Sequence, residues 1–103
     1  KKRYKNPRYK FIPYEKAPKP ITPIKPKYPK FAQDAGIEGK IIVQCFIDEE
    51  GIVQDAVVIE GMPDTGLDES AVEAIQKTKF EPARQRELPV GVWITIPVNF
   101  TLY

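Results

Sequence analysis

The sequence predicts a small α+β domain, a three-stranded antiparallel sheet packed against two helices, preceded by an extended segment rich in proline and lysine. Three observations carry that prediction. Two stretches of alternating polarity flank an Asp-Glu-Glu-Gly turn, an apolar stripe at helical spacing follows, and a third long apolar run ends the chain. The extended segment is marked off by a partition of the chain. Residues 1–30 hold 11 Lys/Arg and one acid, 11 − 1 = +10, and residues 31–103 hold 5 and 13, 5 − 13 = −8. Seven of the eleven prolines lie in the first 29 residues. The net charge of +2 therefore averages two unlike halves.

Residues 1–27 are expected to stay out of the core as a linker, and residues 28–103 to form the domain. Pro18-Lys19-Pro20-Ile21-Thr22-Pro23-Ile24-Lys25-Pro26-Lys27 favours polyproline II, because each proline lacks an N–H and pushes its predecessor toward extended backbone. At about 3.1 Å per residue the linker would reach roughly 80 Å. Upstream, Arg3-Tyr4-Lys5-Asn6-Pro7 and Arg8-Tyr9-Lys10-Phe11-Ile12-Pro13 form a weak repeat of basic and aromatic residues. It reads as a stiff tether rather than an anion-binding tail, and nucleic acid is not an expected partner.

Tyr28-Pro29 opens a helix over Lys30–Ala35 that stops at Gly36. Lys40–Asp48 alternates, with Ile41, Val43, Cys45 and Ile47 facing the core. Asp48-Glu49-Glu50-Gly51 reads as a solvated hairpin tip, and Ile52–Glu60 returns as a second strand with a bulge expected near Asp55-Ala56. Leu67, Ala71, Ala74, Ile75 and Thr78 form one helical stripe, and Thr65 with Asp68 resembles a capping box. After a charged loop over Arg84–Pro89, Val90–Tyr103 is expected to be one long strand. Pro97 in its middle assigns that strand to an edge of the sheet.

Composition excludes much catalytic chemistry. There is no histidine for a general base or an imidazole ligand, and one cysteine makes no internal disulfide. The sequence offers no catalytic constellation, no metal site and no cofactor site, and no enzyme is predicted. Cys45 on the apolar face reads as a small hydrophobe. No apolar run is long enough to span a bilayer, and KKRYKNPRYK lacks the apolar core of a signal peptide. What stands out is an edge strand behind a stiff basic tether. Unpaired backbone groups on such an edge accept an extended peptide as an added strand.

Residues 28–103 also resemble the TonB C-terminal domain family. The pattern runs through Tyr28-Pro29, Ala32, Gly36, Gly39, Ile47-Asp48, Gly51 and Val53. It continues through Leu67-Asp68, Ala71, Ala74, Phe80-Glu81-Pro82-Ala83, Pro89-Val90 and Pro97-Val98-Asn99-Phe100. The resemblance implies a periplasmic domain of an energy transducer, normally anchored to the inner membrane by an N-terminal helix that is not among these residues. Through that helix the transducer would meet ExbB–ExbD, and it would drive import of siderophore- or cobalamin-like cargo by outer-membrane receptors. The receptor's Ton box would pair with the last strand, here Trp93, Ile94, Thr95, Ile96, Pro97, Val98 and Asn99. A second contact region would fall on Ile24, Lys25, Pro26 and Lys27. A structural or adaptor subunit of another envelope complex is the alternative, and homodimerisation through the open strand is a further expectation.

Overall fold

The computed structural model of the chain describes residues 14–102; the Arg/Tyr repeat of residues 3–13 and Tyr103 lie outside them. In chain order the elements are β1 (Lys19–Pro20), α1 (Lys30–Asp34), β2 (Gly39–Ile47), β3 (Val53–Glu60), α2 (Leu67–Gln76), β4 (Phe80–Glu81), β5 (Ala83–Gln85), β6 (Leu88–Val90) and β7 (Val92–Phe100). The main sheet is antiparallel with order β3-β2-β7, and α2 packs against β3 and β2. The α+β architecture with two helices is the one predicted.

The alternation of β2 decides which face is buried. Ile41, Val43, Cys45 and Ile47 are fully buried and meet Leu67, Ala71 and Ile75 of α2, so one helix stripe closes over one strand face. Their β7 partners are Val98, Ile96, Ile94 and Val92. Phe80, Phe100 and Ala32 complete this core. The opposite face carries Ile42, Gln44 and Phe46 paired with Pro97, Thr95 and Trp93.

Several local expectations need correction. The bulge expected near Asp55-Ala56 falls beside them at Gln54, where the register of β2 and β3 slips between Phe46 and Ile47, and an unexpected second slip between Ile42 and Val43 leaves Ile59 unopposed. Gln54 is extruded where its amide can donate to Asp48 Oδ2 at 2.8 Å. Asp48 is itself no solvated tip. It is 7% exposed, and its Oδ1 accepts from the backbone N–H of Glu50 and of Ile52, each at 2.9 Å. Gly51 in this loop has φ 81, and a Cβ there would lie 1.8 Å from the carbonyl oxygen of Phe80.

Helix α2 ends at Gln76 rather than Thr78, whose hydroxyl turns back to donate to Ala74 O at 2.7 Å. No capping box forms. Gly66 occupies the N-cap in the left-handed region, Thr65 Oγ1 accepts from Leu67 N–H at 3.1 Å, and Asp68 Oδ1 accepts from Met62 N–H at 2.8 Å. The final strand is shorter than expected. Gly91 separates it from a β5–β6 hairpin, and a Cβ there would lie 2.6 Å from the Phe46 ring.

The described part of the proline-lysine segment lies along the domain instead of leading away from it. β1 pairs with β4 (Lys19 with Glu81, Pro20 with Phe80), Lys16 bridges Arg84, Pro18 is buried, and Ile24 packs against the core. Prolines remove donors only at their own positions, so Lys16 N–H and Ile21 N–H still bond to Arg84 O (3.1 Å) and Lys79 O (2.8 Å).

Candidate functional site: the free edge of strand β7

Strand β7 pairs with β2 over nine positions, from Gly39 with Phe100 to Ile47 with Val92, without a slip. Among the described residues its other side has no ladder partner. The opposite edge, β3, is interrupted by its two slips. Bulges twist an edge away from further pairing, so the two edges of this sheet are unequal. β7 is the regular one.

Pro97 fits this placement. A proline within a continuous ladder is accommodated where its nitrogen faces the free side. Because N–H and C=O of one residue point the same way and alternate along an antiparallel strand, Trp93, Thr95 and Asn99 then turn their backbone groups to that side as well. Their side chains share the open face of the sheet. Thr95, Pro97 and Asn99 are exposed, Trp93 is half-buried, and its indole meets Phe46 edge-on at 5.4 Å and 66°. Ile94 and Ile96 turn the other way, half-buried against the core, and Val98 is buried there. A docked strand would thus find backbone groups along the edge and an aromatic anchor at one end.

The other predicted group is placed differently. Ile24 is half-buried against the core, Lys25 and Lys27 are exposed, and Pro26 is half-buried. Lys27 O accepts from the Ser70 hydroxyl. The segment leads into Tyr28, whose ring stands edge-on to Phe100 at 5.5 Å and 89° and whose hydroxyl donates to Ile37 O. Residues 24–27 therefore approach the Phe100 end of β7, whereas Trp93 marks the opposite end. Phe46, the support for Trp93, escaped the sequence reading. Its signal is a lone aromatic on the polar side of an alternating strand. Glu38 was missed too: its Oε2 accepts from Leu102 N–H at 2.9 Å and fixes the chain just beyond β7.

Cys45 is buried under the sheet, and burial pushes its thiol up to about 12. Among the described residues no three His, Cys, Asp or Glu side chains converge to hold a metal, and no helix is long and apolar enough to cross a membrane. The described residues form a small α+β module with one regular strand edge that has no ladder partner among them.

Comparison with known proteins places the module in a family. Residues 24–102 match the model of the family described as Gram-negative bacterial TonB protein C-terminal, and the chain belongs to that family. It is 34% identical over 79 residues to protein TonB of Vibrio cholerae, covering 77% of this chain and 32% of that protein. Protein tonB2 of Pseudomonas aeruginosa is 27% identical over 77 residues, covering 75% and 28%. The chain thus spans about a third or less of the length of these curated relatives. Its fold superposes on the solution NMR structure of the Pseudomonas aeruginosa TonB C-terminal domain with a TM-score of 0.70 at 31% identity, covering 85% of this chain and 89% of that one. For the Helicobacter pylori TonB C-terminal domain the TM-score is 0.58 at 32% identity, with 75% and 69% covered.

Proposed function

We propose that this domain is the periplasmic docking end of a TonB-type energy transducer, and that it captures the Ton box of an outer-membrane receptor as an added strand on β7. The observation that carries this reading is the unbroken nine-residue register of β7 beside a free edge, set against the slipped register of β3. Family membership supports it. In this reading the motor proteins ExbB–ExbD act through a membrane helix outside these residues, and the receptor imports siderophore- or cobalamin-like cargo. Six added pairings at about 0.5–1.5 kcal/mol net each give roughly 3–9 kcal/mol before ordering costs, which suits a grip made and released in each cycle. Residues Ile24–Lys27 would flank the grip at the Phe100 end.

Titration of the isotope-labelled chain with a synthetic Ton-box peptide tests the reading. Amide shifts should begin within Trp93–Asn99; shifts confined to other elements would overturn it. Substitution sharpens the test. Thr95→Pro deletes one outward N–H and should weaken peptide binding about 2- to 10-fold with the sheet intact. Ile96→Pro deletes a donor facing β2, and should lose the sheet itself in circular dichroism.

A further inference from the structure

Residues 15–29 run antiparallel to residues 66–86, and their contacts occur in reverse order along the two segments. Glu15 N–H and Lys16 N–H bond to Arg84 O at 2.7 and 3.1 Å, Arg84 N–H returns to Lys16 O at 3.0 Å, and Arg86 N–H bonds to the Glu15 carboxylate at 3.0 Å. Next come Lys19 against Glu81 and Pro20 against Phe80, then Ile21 N–H on Lys79 O at 2.8 Å. Farther on, Lys27 O meets Ser70, and Pro29 lies beside Gly66.

The two halves of this segment are held by different forces. From residue 15 to 23 the attachment is mostly backbone hydrogen bonds, with only Pro18 buried and Ile21 58% exposed. Lys16 also stands directly opposite Arg84, a like-charge pair that repels across the bridge. From Ile24 onward, Ile24 and Tyr28 enter the core cluster. A pull on the residues before Glu15 enters at the weak end and meets the bonds one at a time, as a zipper is opened. It stops where side chains are buried.

We propose that residues 15–23 are a releasable strap, docked at rest and peeled from Glu15 onward by tension, while the β3-β2-β7 sheet stays folded. At about 3.1 Å per residue, release adds roughly 28 Å of chain between an anchor and the β7 edge. The strap itself stands on these contacts; only the source of tension rests on the proposed transducer function. Its role would be to absorb the first part of each pull before load reaches the docked peptide.

The full chain held by its two termini in an optical trap tests the proposal. A reversible low-force step, arising from the roughly 28 Å of chain released, should precede the unfolding of the domain. The double variant Lys16→Cys/Arg84→Cys places thiols on directly paired residues, whose spacing of about 5.5 Å between Cα atoms suits a disulfide. Oxidation should abolish the step and reductant should restore it. Absence of the step in the reduced chain, or its persistence in the oxidised one, would overturn the strap. Hydrogen exchange supplies a readout independent of the variant. Ile21 and Arg84 amides should exchange faster than those of β2, and equal rates would overturn independent release. A chain that shows the step but binds no Ton-box peptide refutes the docking function alone; one that binds peptide without the step refutes the strap alone.

Discussion

At the scale of single residues, two side chains show what burial does to chemistry. Cys45 is fully buried between Ile94 and Ala56 in the strand ladders, and its thiol is pushed from 9.0 to about 12. The neutral form is therefore favoured in the folded state. Below pH 9 both states keep the proton and the contribution to stability is complete. As pH rises from 9 toward 12 only the unfolded chain ionises, so stability falls by up to about 1.4 kcal/mol per pH unit. Urea unfolding at pH 8 and pH 10 should show a steeper loss in the wild type than in Cys45→Ala, since the titrations of other groups are common to both. Asp48 keeps its polar atoms buried because the loop folds around them, with two backbone N–H groups and the Gln54 amide as donors. Three consecutive acids in a row conceal this, because a carboxylate's neighbours in sequence do not reveal the amides that will turn toward it.

At the scale of elements, the legible parts were those with a period. The alternation of Ile41, Val43, Cys45 and Ile47 and the stripe of Leu67, Ala71 and Ile75 each determine one buried face, and both are observed. The β5–β6 hairpin was not legible. Its turn residues, Arg86 and Glu87, have φ of 54 and 69, yet neither is the Asn, Asp or Gly that such a turn favours. Tertiary pairing of Ala83 with Val90 and Arg84 with Pro89, together with Glu15 on Arg86 N–H, holds a turn that the local sequence opposes. The remedy follows from the cause. Arg86→Asn with Glu87→Gly should raise stability by about 1–2 kcal/mol, read as a higher urea midpoint at unchanged slope. Of the candidate site, the edge strand was readable from Pro97, but its inner boundary was not. Gly91 sits at that boundary against the Phe46 ring, a contact between distant parts of the chain.

At the scale of the whole molecule, the division into a basic segment and an acidic domain takes on a spatial meaning. Lys16, Lys19, Lys25 and Lys27 lie along the domain instead of leading away from it, so the described part of the basic segment is carried on the domain surface. The body measures 47 × 26 × 22 Å along its principal axes. The same body leaves β7 open, and an open regular edge can accept a second copy as readily as a peptide. Sedimentation velocity of the full chain should show a concentration-dependent rise in mass that saturating Ton-box peptide suppresses and that Thr95→Pro weakens. A rise insensitive to both would place self-association on another surface.

Trp93 is the only tryptophan of the chain, and its indole N–H is buried with no hydrogen-bond partner among the described residues. It sits on the proposed docking strand, against Phe46. The molecule therefore carries its own optical reporter: the indole should emit toward the blue in the free domain, and strand addition beside it should change emission intensity and anisotropy without any attached dye. Occupancy of the edge can then be followed in the unlabelled protein, on the timescale at which a grip is made and lost.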